Sequence, residues 1–147
     1  MSNDYRLTPE EFDAIYAKVP RLTVEVVVRG TGGGVYLTKR AIEPCKGQWH
    51  LPGGTVYFGE SLLDAVTRIA QRELGIAVTA ADSKGFIEYP SHYKNGMDQP
   101  VGAVFEVTSY EGELAVDDEA AAGGWFTSLP TPMHADQDEY LAAHYDM

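Results

Sequence analysis

Cysteine and long apolar runs are what this sequence most clearly lacks. Cys45 is the single cysteine, so no internal disulfide can form, and without an obvious His partner we expect a structural thiol with no catalytic role. No apolar run approaches the roughly 20 residues of a membrane span. The first four residues also lack the charge and apolar core of a signal peptide. We therefore expect a cytoplasmic protein with no membrane partner.

Positive charge is also scarce. The chain carries 11 Lys and Arg against 22 Asp and Glu, a net charge of -11. Binding the phosphates along a duplex needs clustered Lys and Arg, so the composition argues against a nucleic-acid partner. A small diphosphate is different, because a metal ion and one or two Arg can offset its charge locally. The acidity favours a metal-assisted site, in a chain whose length fits a single domain over 1–147.

The most informative stretch runs from residue 52 to residue 76. Pro52-Gly53-Gly54 marks a tight turn. Ser61 can cap a helix that follows, and Gly75 can close that helix in a left-handed conformation. Apolar residues recur between the two caps at helical spacing: Leu62, Leu63, Val66, Ile69, Ala70 and Leu74. The sequence therefore predicts a turn that leads into a helix of nearly four turns.

Glu73 occupies a position on this helix that is unfavourable for a carboxylate. At about 100° per residue it falls inside the apolar stripe, and it sits in the last turn, where the helix dipole disfavours an anion. A carboxylate placed against both rules is more often held by a cation, such as a bound metal. The alternative is that Glu73 lies at the frayed end of the stripe and pairs with a nearby Lys or Arg.

The segment before the turn predicts a helix and two strands. Thr8-Pro9-Glu10-Glu11 is typical of a capped helix start, and the helix is expected to end at Pro20. The β-branched run 22–29, with Glu25 on one face, and the run 35–40 are expected to form a hairpin across the glycines of 31–34. Arg40 ends the second strand, and its planar fork suits two phosphate oxygens better than a Lys would.

The remaining chain alternates strands and a helix. Short runs at 77–79, 85–89, 101–110 and 124–127 predict strands, the second continuing towards His92, and 136–145 predicts a last helix. No repeat, linker or low-complexity segment separates them. Helices that interrupt mixed strands are typical of an α/β/α sandwich.

The spacing around the helix resembles a known family. Gly54, five residues, Glu60, seven residues, Arg68 and then Glu73-Leu74-Gly75-Ile76 resemble the Nudix box, the loop-helix-loop of hydrolases that act on a nucleoside diphosphate linked to another group. Two positions depart from it, since the box normally has Glu immediately after the Arg and again just before the last Glu. The resemblance implies a Nudix-type α/β/α sandwich with a central mixed sheet.

The two departing residues, Ile69 and Arg72, narrow the resemblance to one branch. The GDP-mannose mannosyl hydrolases likewise keep Arg, then four residues, then Glu-Leu-Gly, and the similarity extends over most of 7–76. The branch implies a Mg²⁺-dependent hydrolase of a GDP-mannose-like nucleoside diphosphate sugar, releasing nucleoside diphosphate and sugar. It also implies a homodimer.

The resemblance assigns metal ligands. They are the carbonyl of Gly54, the carboxylate of Glu73, and Glu119, which lies where the branch has a metal-binding Gln. Oxygen ligands of this kind suit Mg²⁺, which usually keeps several waters. Glu60 and Arg68 are expected to pair across the loop and hold it over the helix.

The resemblance also suggests residues that contact substrate and move protons. Arg40 is expected to contact the diphosphate and Glu25 the substrate. The branch uses a His as base in a loop before a Trp-containing strand, where this chain has Ala120. Glu119 or His92 would have to replace it, and His92 also matches a sugar-contacting His of the branch.

Two further His and two other functions remain as alternatives. His134 and His50 rank below His92 as functional residues. The protein would otherwise be a Nudix pyrophosphatase on another nucleoside diphosphate derivative, or a module that binds a nucleotide or sugar without turnover. Retention of Arg40, Gly54 and the charged box residues together favours an enzyme.

Overall fold

The computed structural model describes residues 7–43, 45–115 and 120–147. Glu119 lies outside these described residues. The helices and strands follow one another as α1 (Pro9–Tyr16), β1 (Arg21–Val28), β2 (Val35–Arg40), β3 (Trp49–His50), β4 (Gly53–Thr55), α2 (Leu62–Leu74), β5 (Ala77–Glu88), α3 (Pro90–Tyr93), β6 (Pro100–Glu111), β7 (Ala120–Phe126) and α4 (Gln137–Tyr145). No described helix is long and apolar enough to cross a membrane.

The strands form two sheets. In the first, in the order β4-β1-β6-β5, β1 and β6 run parallel while the outer pairs are antiparallel. The second, β3-β2-β7, is antiparallel throughout. Residues 23–28 of β1 are all buried, because this strand is covered on both faces. The predicted mixed sheet within an α/β sandwich is confirmed.

Helix α2 covers one face of the first sheet. The Ser61 hydroxyl accepts a hydrogen bond from the Asp64 amide at 3.1 Å, and Gly75 closes the helix at φ 70°, as the sequence predicted. Its buried side chains pack with alternate residues of β1, which together include Val24, Val26, Val28, Ala65, Val66, Ile69, Ala70 and Leu74. Ile69 is fully buried in this cluster.

A second core lies on the opposite face of β1. Val27 packs there with residues of the second sheet and of α4, among them Leu37, Leu51, Tyr140 and Leu141. Glu25 points to this same face, since side chains alternate along a strand. Its burial follows from its position beside this core.

Two sequence predictions were wrong in detail. The runs 22–29 and 35–40 are joined by a turn in which the Gly30 amide donates to the Gly34 carbonyl at 2.8 Å, but they enter different sheets instead of a hairpin ladder. Burial of residues 23–28 of β1 and 35–38 of β2 requires partners on both sides, which a two-stranded hairpin does not provide. The runs 77–79 and 85–89 form one strand, β5, and His92 lies in the short helix α3 after it.

Candidate active site

A cavity of about 860 Å³ opens at the β4 edge of the first sheet. Its lining comes from α1, β1, β4 and α2, together with α3, the segment after β2 and the segment before α4. Most of the residues that the sequence singled out line this cavity: Glu25, Arg40, Gly54, Arg68, Glu73 and His92. His50 and His134 line it as well.

Glu73 reaches from α2 to the backbone of β4. Its Oε2 accepts a hydrogen bond from the Gly53 amide at 3.1 Å, and its Oε1 lies 3.4 Å from Nη2 of Arg72. Only 17% of its side chain is exposed. The carboxylate therefore has an Arg beside it, as one sequence reading predicted, and also borders the cavity, as the other required.

The ladder between β1 and β4 fixes the direction of the backbone groups. The Val26 amide donates to the Pro52 carbonyl at 2.8 Å, and the Val56 amide donates to the Leu22 carbonyl at 3.0 Å. Hydrogen-bonded pairs alternate in an antiparallel ladder, so the even-numbered residues of 52–56 direct their amide and carbonyl towards β1. The Gly54 carbonyl faces β1 for this reason.

The odd-numbered residues face the other way. Gly53 turns its amide to Glu73, and its carbonyl points to the same side of the strand. The Thr55 carbonyl accepts a hydrogen bond from Nη2 of Arg68 at 2.8 Å. The backbone oxygen on the Glu73 side is therefore that of Gly53, one residue before the position that the sequence resemblance suggested.

Glu60 and Arg68 form the predicted pair across the loop. Nε of Arg68 lies 2.8 Å from Oε2 of Glu60, and Nη2 lies 3.0 Å from Oε1, which gives a bidentate contact. Glu60 also accepts from the Tyr57 amide at 3.0 Å, and the Arg68 guanidinium lies 3.7 Å from the centre of the Tyr57 ring. The pair thus fixes the loop to α2 and to β4.

Glu25 is a buried carboxyl at the cavity wall. Its Oε1 accepts hydrogen bonds from the hydroxyls of Thr23 at 3.0 Å and Tyr89 at 2.9 Å. A Cβ at Gly53 would overlap Oε2, and one at Gly102 would lie 2.8 Å from Oε1, so these glycines make room for the carboxyl. Burial raises the pKa of Glu25 from 4.5 to about 7, although both hydroxyls lower it.

Gln137 completes a buried hydrogen-bond chain that sequence reasoning missed. Its Nε2 donates to the Tyr89 hydroxyl at 3.0 Å, and its Oε1 accepts from the Leu51 amide at 2.8 Å. Burial raises the pKa of Tyr89 well above its ordinary value, and Glu25 raises it further. This chain connects α4 to β1 through the cavity wall, and no local sequence pattern marks it.

His92 lies between a carboxylate and a second imidazole. Its Nδ1 is 3.1 Å from Oδ1 of Asp98, and its Nε2 is 3.2 Å from Nε2 of His134. Asp98 also accepts from Nε of Arg21 at 2.8 Å. The hydrogen bond from His92 is the largest cause that lowers the pKa of Asp98 to about 2.

Arg40 lies at the end of β2, on the cavity wall. Its backbone is paired with Ala120, and a register shift separates it from Lys39. Burial lowers the pKa of His50 to about 4, and the Arg40 guanidinium also acts to lower it. His50 is therefore neutral near pH 7, with Nδ1 2.7 Å from the Leu51 carbonyl oxygen, and we assign it a structural role.

Two imidazoles lie near Cys45, for which the sequence showed no obvious His partner. Its thiol lies close to His92 and His134, with one potential ligand atom of each residue within 4.8 Å of the others. Burial raises the pKa of this thiol, whereas the nearby Arg40 lowers it. The three residues are far apart in sequence, so spacing gave no sign of the cluster.

The comparison with known families is decisive at this point. The family model for the NUDIX domain matches residues 19–143. This chain belongs to the Nudix hydrolase family. Members of the family generally use divalent metals, typically Mg²⁺, and bind small nucleotide substrates.

Individual relatives agree with this assignment. The hydrolase is 36% identical over 142 residues to the low-salt glycan biosynthesis protein Agl8 of Haloferax volcanii, covering 94% of this chain and 90% of that protein. It is 30% identical over 111 residues to an ADP-ribose pyrophosphatase of Methanocaldococcus jannaschii, covering 76% of this chain and 64% of that protein. A MutT Nudix hydrolase structure from Burkholderia pseudomallei matches at a TM-score of 0.73 and 33% identity, over 82% of this chain and 95% of that one.

Proposed function

We propose that this Nudix hydrolase cleaves a GDP-mannose-like nucleoside diphosphate sugar with Mg²⁺, releasing nucleoside diphosphate and free sugar. The observation that carries the proposal is one cavity whose lining combines groups suited to a metal diphosphate with groups suited to a sugar. Glu73, the Gly53 backbone and Arg40 provide a carboxylate, a carbonyl and a cation for a metal diphosphate. Imidazole and carboxyl groups that line the same cavity suit the hydroxyls of a sugar. Similarity to a glycan biosynthesis protein supports a sugar-containing substrate.

The residues around Gly53 fit Mg²⁺. Mg²⁺ takes oxygen ligands, and here the Glu73 carboxylate and the Gly53 carbonyl face the same space at the sheet edge. We propose the Gly53 carbonyl as ligand in place of Gly54, whose carbonyl faces β1, and retain Glu119 as the third ligand. Bound Mg²⁺ would offset the negative charge of the diphosphate and of the departing nucleoside diphosphate.

Arg40 and Glu25 are proposed to contact the substrate. Arg40 offers a planar donor fork at the end of β2, which can hold two phosphate oxygens. Glu25 is fixed by Thr23 and Tyr89 with its second oxygen beside Gly53, so a substrate hydroxyl can reach a carboxyl of defined orientation. Arg68 and Glu60 act indirectly, by holding the loop between β4 and α2 in place.

The proposed reaction is attack of water on the sugar carbon. The water oxygen bonds to the anomeric carbon while the bond from that carbon to the phosphate oxygen breaks, and the proton of the water passes to a base. The base is Glu119, helped or replaced by His92, because Ala120 occupies the position of the branch's His. Attack on phosphorus is disfavoured, since Ile69 and Arg72 remove two of the box carboxylates that usually serve it.

Hydrolysis in ¹⁸O-water tests this proposal. Candidate nucleoside diphosphate sugars are incubated with the hydrolase and Mg²⁺, and the products are weighed by mass spectrometry. Label in the free sugar is the expected result, and label in a phosphate product would overturn carbon attack. No turnover with saturable binding of a sugar nucleotide would instead indicate a non-catalytic module.

A second candidate is a pyrophosphatase on another nucleoside diphosphate derivative. Similarity to an ADP-ribose pyrophosphatase favours it. ADP-ribose belongs in the same ¹⁸O experiment, because cleavage between its phosphates places label in a phosphate product. Release of AMP as the main activity would select this function.

We also propose that 1–147 acts as one Nudix domain and that two copies form a homodimer, as the resembling branch implies. Light scattering coupled to size-exclusion chromatography measures the mass directly. A mass near that of two 16.1 kDa chains is expected, and a monomer at all concentrations would contradict the proposal.

A further inference from the structure

A cluster of Cys45, His92 and His134 lies on the cavity wall. One potential ligand atom from each of the three residues lies within 4.8 Å of the other two. None of the three is exposed, and all line the cavity. A thiol and two imidazoles are a donor set unlike the oxygen ligands that suit Mg²⁺.

The hydrogen bonds made by the Nδ1 atoms of the two rings leave both Nε2 atoms without a proton when the rings are neutral. Nδ1 of His134 is 2.6 Å from the Ala135 carbonyl oxygen, which can only accept, so this nitrogen carries the proton. Nδ1 of His92 is 3.1 Å from Oδ1 of Asp98, a carboxylate whose other oxygen is paired with Arg21. When both rings are neutral, the Nε2 atom of each His therefore carries a lone pair that faces the Nε2 atom of the other His.

The Nε2 atoms of His92 and His134 are separated by the distance that a shared metal ion requires. They lie 3.2 Å apart. Two imidazole nitrogens bound to Zn²⁺ at about 2.05 Å with a tetrahedral angle are separated by about 3.3 Å. Without a cation between them the two lone pairs would repel each other. The Cys45 thiol lies within 4.8 Å of a ligand atom of each ring and can serve as a third ligand.

The partners of the two Nδ1 atoms are of the kind found at metal-binding His residues. Metal-binding His residues usually donate their second ring N–H to a carboxylate or a backbone carbonyl, which fixes the tautomer and the ring orientation. His92 has the carboxylate of Asp98 in this place, and His134 has the carbonyl of Ala135. Both rings are thus oriented before any ion arrives.

We propose that Cys45, His92 and His134 form a second metal site, which takes a zinc-class divalent cation. Its donor set differs from the oxygen ligands of the proposed Mg²⁺ site at Glu73. When His92 binds a metal through Nε2 and donates from Nδ1 to Asp98, it cannot also act as the base, which leaves that role to Glu119. Three protein ligands leave a fourth position for water or substrate, and because all three residues line the cavity, that position opens into it.

Cobalt is the probe for this site. The whole protein, reduced and stripped with EDTA, is titrated with Co²⁺ in excess Mg²⁺, which occupies the oxygen site. A tetrahedral ion with a thiolate ligand gives intense visible bands and a sulfur-to-cobalt band in the near ultraviolet, and stoichiometric Zn²⁺ should remove both. An octahedral ion on oxygen ligands gives neither band at comparable intensity.

Variants assign the ligands. Cys45→Ser should remove the sulfur-to-cobalt band, and His134→Gln should weaken Co²⁺ binding at least about tenfold. Asp98→Asn should weaken binding by roughly 10–100-fold while keeping the sulfur band at saturation, because Asp98 acts through His92. The matched control is His144→Gln, an exposed His on α4, which should bind as wild type.

The outcomes separate the proposal from its alternatives. Melting of each variant without metal shows whether it folds, and Asp98→Asn serves if a ligand variant does not. Absence of the intense bands in wild type would overturn the site and leave the imidazoles sharing a proton. A sulfur band that persists in Cys45→Ser would also overturn it. Because the readout is spectroscopic, a failed hydrolase assay does not affect the result.

Discussion

Replacing Glu25 by Gln is expected to stabilise the metal-free protein at neutral and alkaline pH. Folding raises the pKa of this carboxyl from 4.5 to about 7 because the side chain is only 6% exposed. The folded state then holds a proton that the unfolded state releases. The contribution of Glu25 to the free energy of unfolding of wild type should fall as pH rises from 4.5 to about 7 and should be level above that range. His50, whose pKa burial lowers from 6.5 to about 4, contributes in the opposite direction, so the difference between wild type and Glu25→Gln isolates the carboxyl.

The magnitude follows from the two pKa values. A rise from 4.5 to about 7 corresponds to roughly 3 kcal/mol lost across this window. Gln cannot ionise, so the variant should avoid the loss, and its Oε1 can still accept from the hydroxyls of Thr23 and Tyr89. Below pH 4.5 both proteins carry a neutral group, and their stabilities should converge.

Urea unfolding measures the effect. Wild type, Glu25→Gln and the control Glu88→Gln, an exposed carboxylate on β5, are unfolded in EDTA at pH values from about 4 to about 9. Glu25→Gln should exceed wild type by a margin that grows with pH, while Glu88→Gln follows wild type. Equal pH profiles for wild type and Glu25→Gln would refute the argument that burial controls this carboxyl. A gain in stability with lost turnover would show that the site retains a costly group for function.

Three further predictions concern the proposed site. Glu73→Gln should remove most Mg²⁺-dependent turnover and weaken Mg²⁺ binding at least about tenfold, measured by calorimetry with nucleotide present; unchanged Mg²⁺ binding would remove Glu73 from the ligands. Arg40→Lys keeps the charge but loses the bidentate fork, so we expect roughly tenfold weaker nucleotide binding, and equal dissociation constants would place Arg40 away from the phosphates. Arg68→Lys and Glu60→Gln should each cost about 1–3 kcal/mol of unfolding free energy, and the double variant should cost much less than their sum. Additive losses would show that the two side chains do not act as a pair.

Local signals made the helix and its loop predictable. The hydroxyl of Ser61 and the left-handed Gly75 act on their own neighbours in sequence, so the ends of α2 were correct. The pairing of Glu60 with Arg68 was also expected, because a fixed spacing across one loop determines which side chains can meet. Such features depend on a few consecutive residues.

The rest of the site depends on how distant segments meet. Glu25 and Tyr89 are 64 residues apart, and His92 and His134 are 42 apart, yet each pair is in contact. Their meeting is set by the parallel register of β1 with β6 and by the path of the chain before α4. Neither the register nor the path of the chain can be deduced from periodicity or spacing, which is why the sequence showed no obvious His partner for Cys45.

The burial of Ile69 affects whether a carboxylate can be restored at this position of the box. The typical box has Glu at this position, but here Cδ1 of Ile69 lies 2.9 Å from where a Cβ on Gly54 would be, within a fully apolar cluster. A Glu at position 69 would replace a fully buried apolar side chain by a carboxylate, with the Arg72 guanidinium nearby, because Nη2 of Arg72 lies 3.4 Å from the same Cβ position. Restoring the box carboxylate at position 69 therefore depends on Arg72, so the two departures from the box are coupled in this fold.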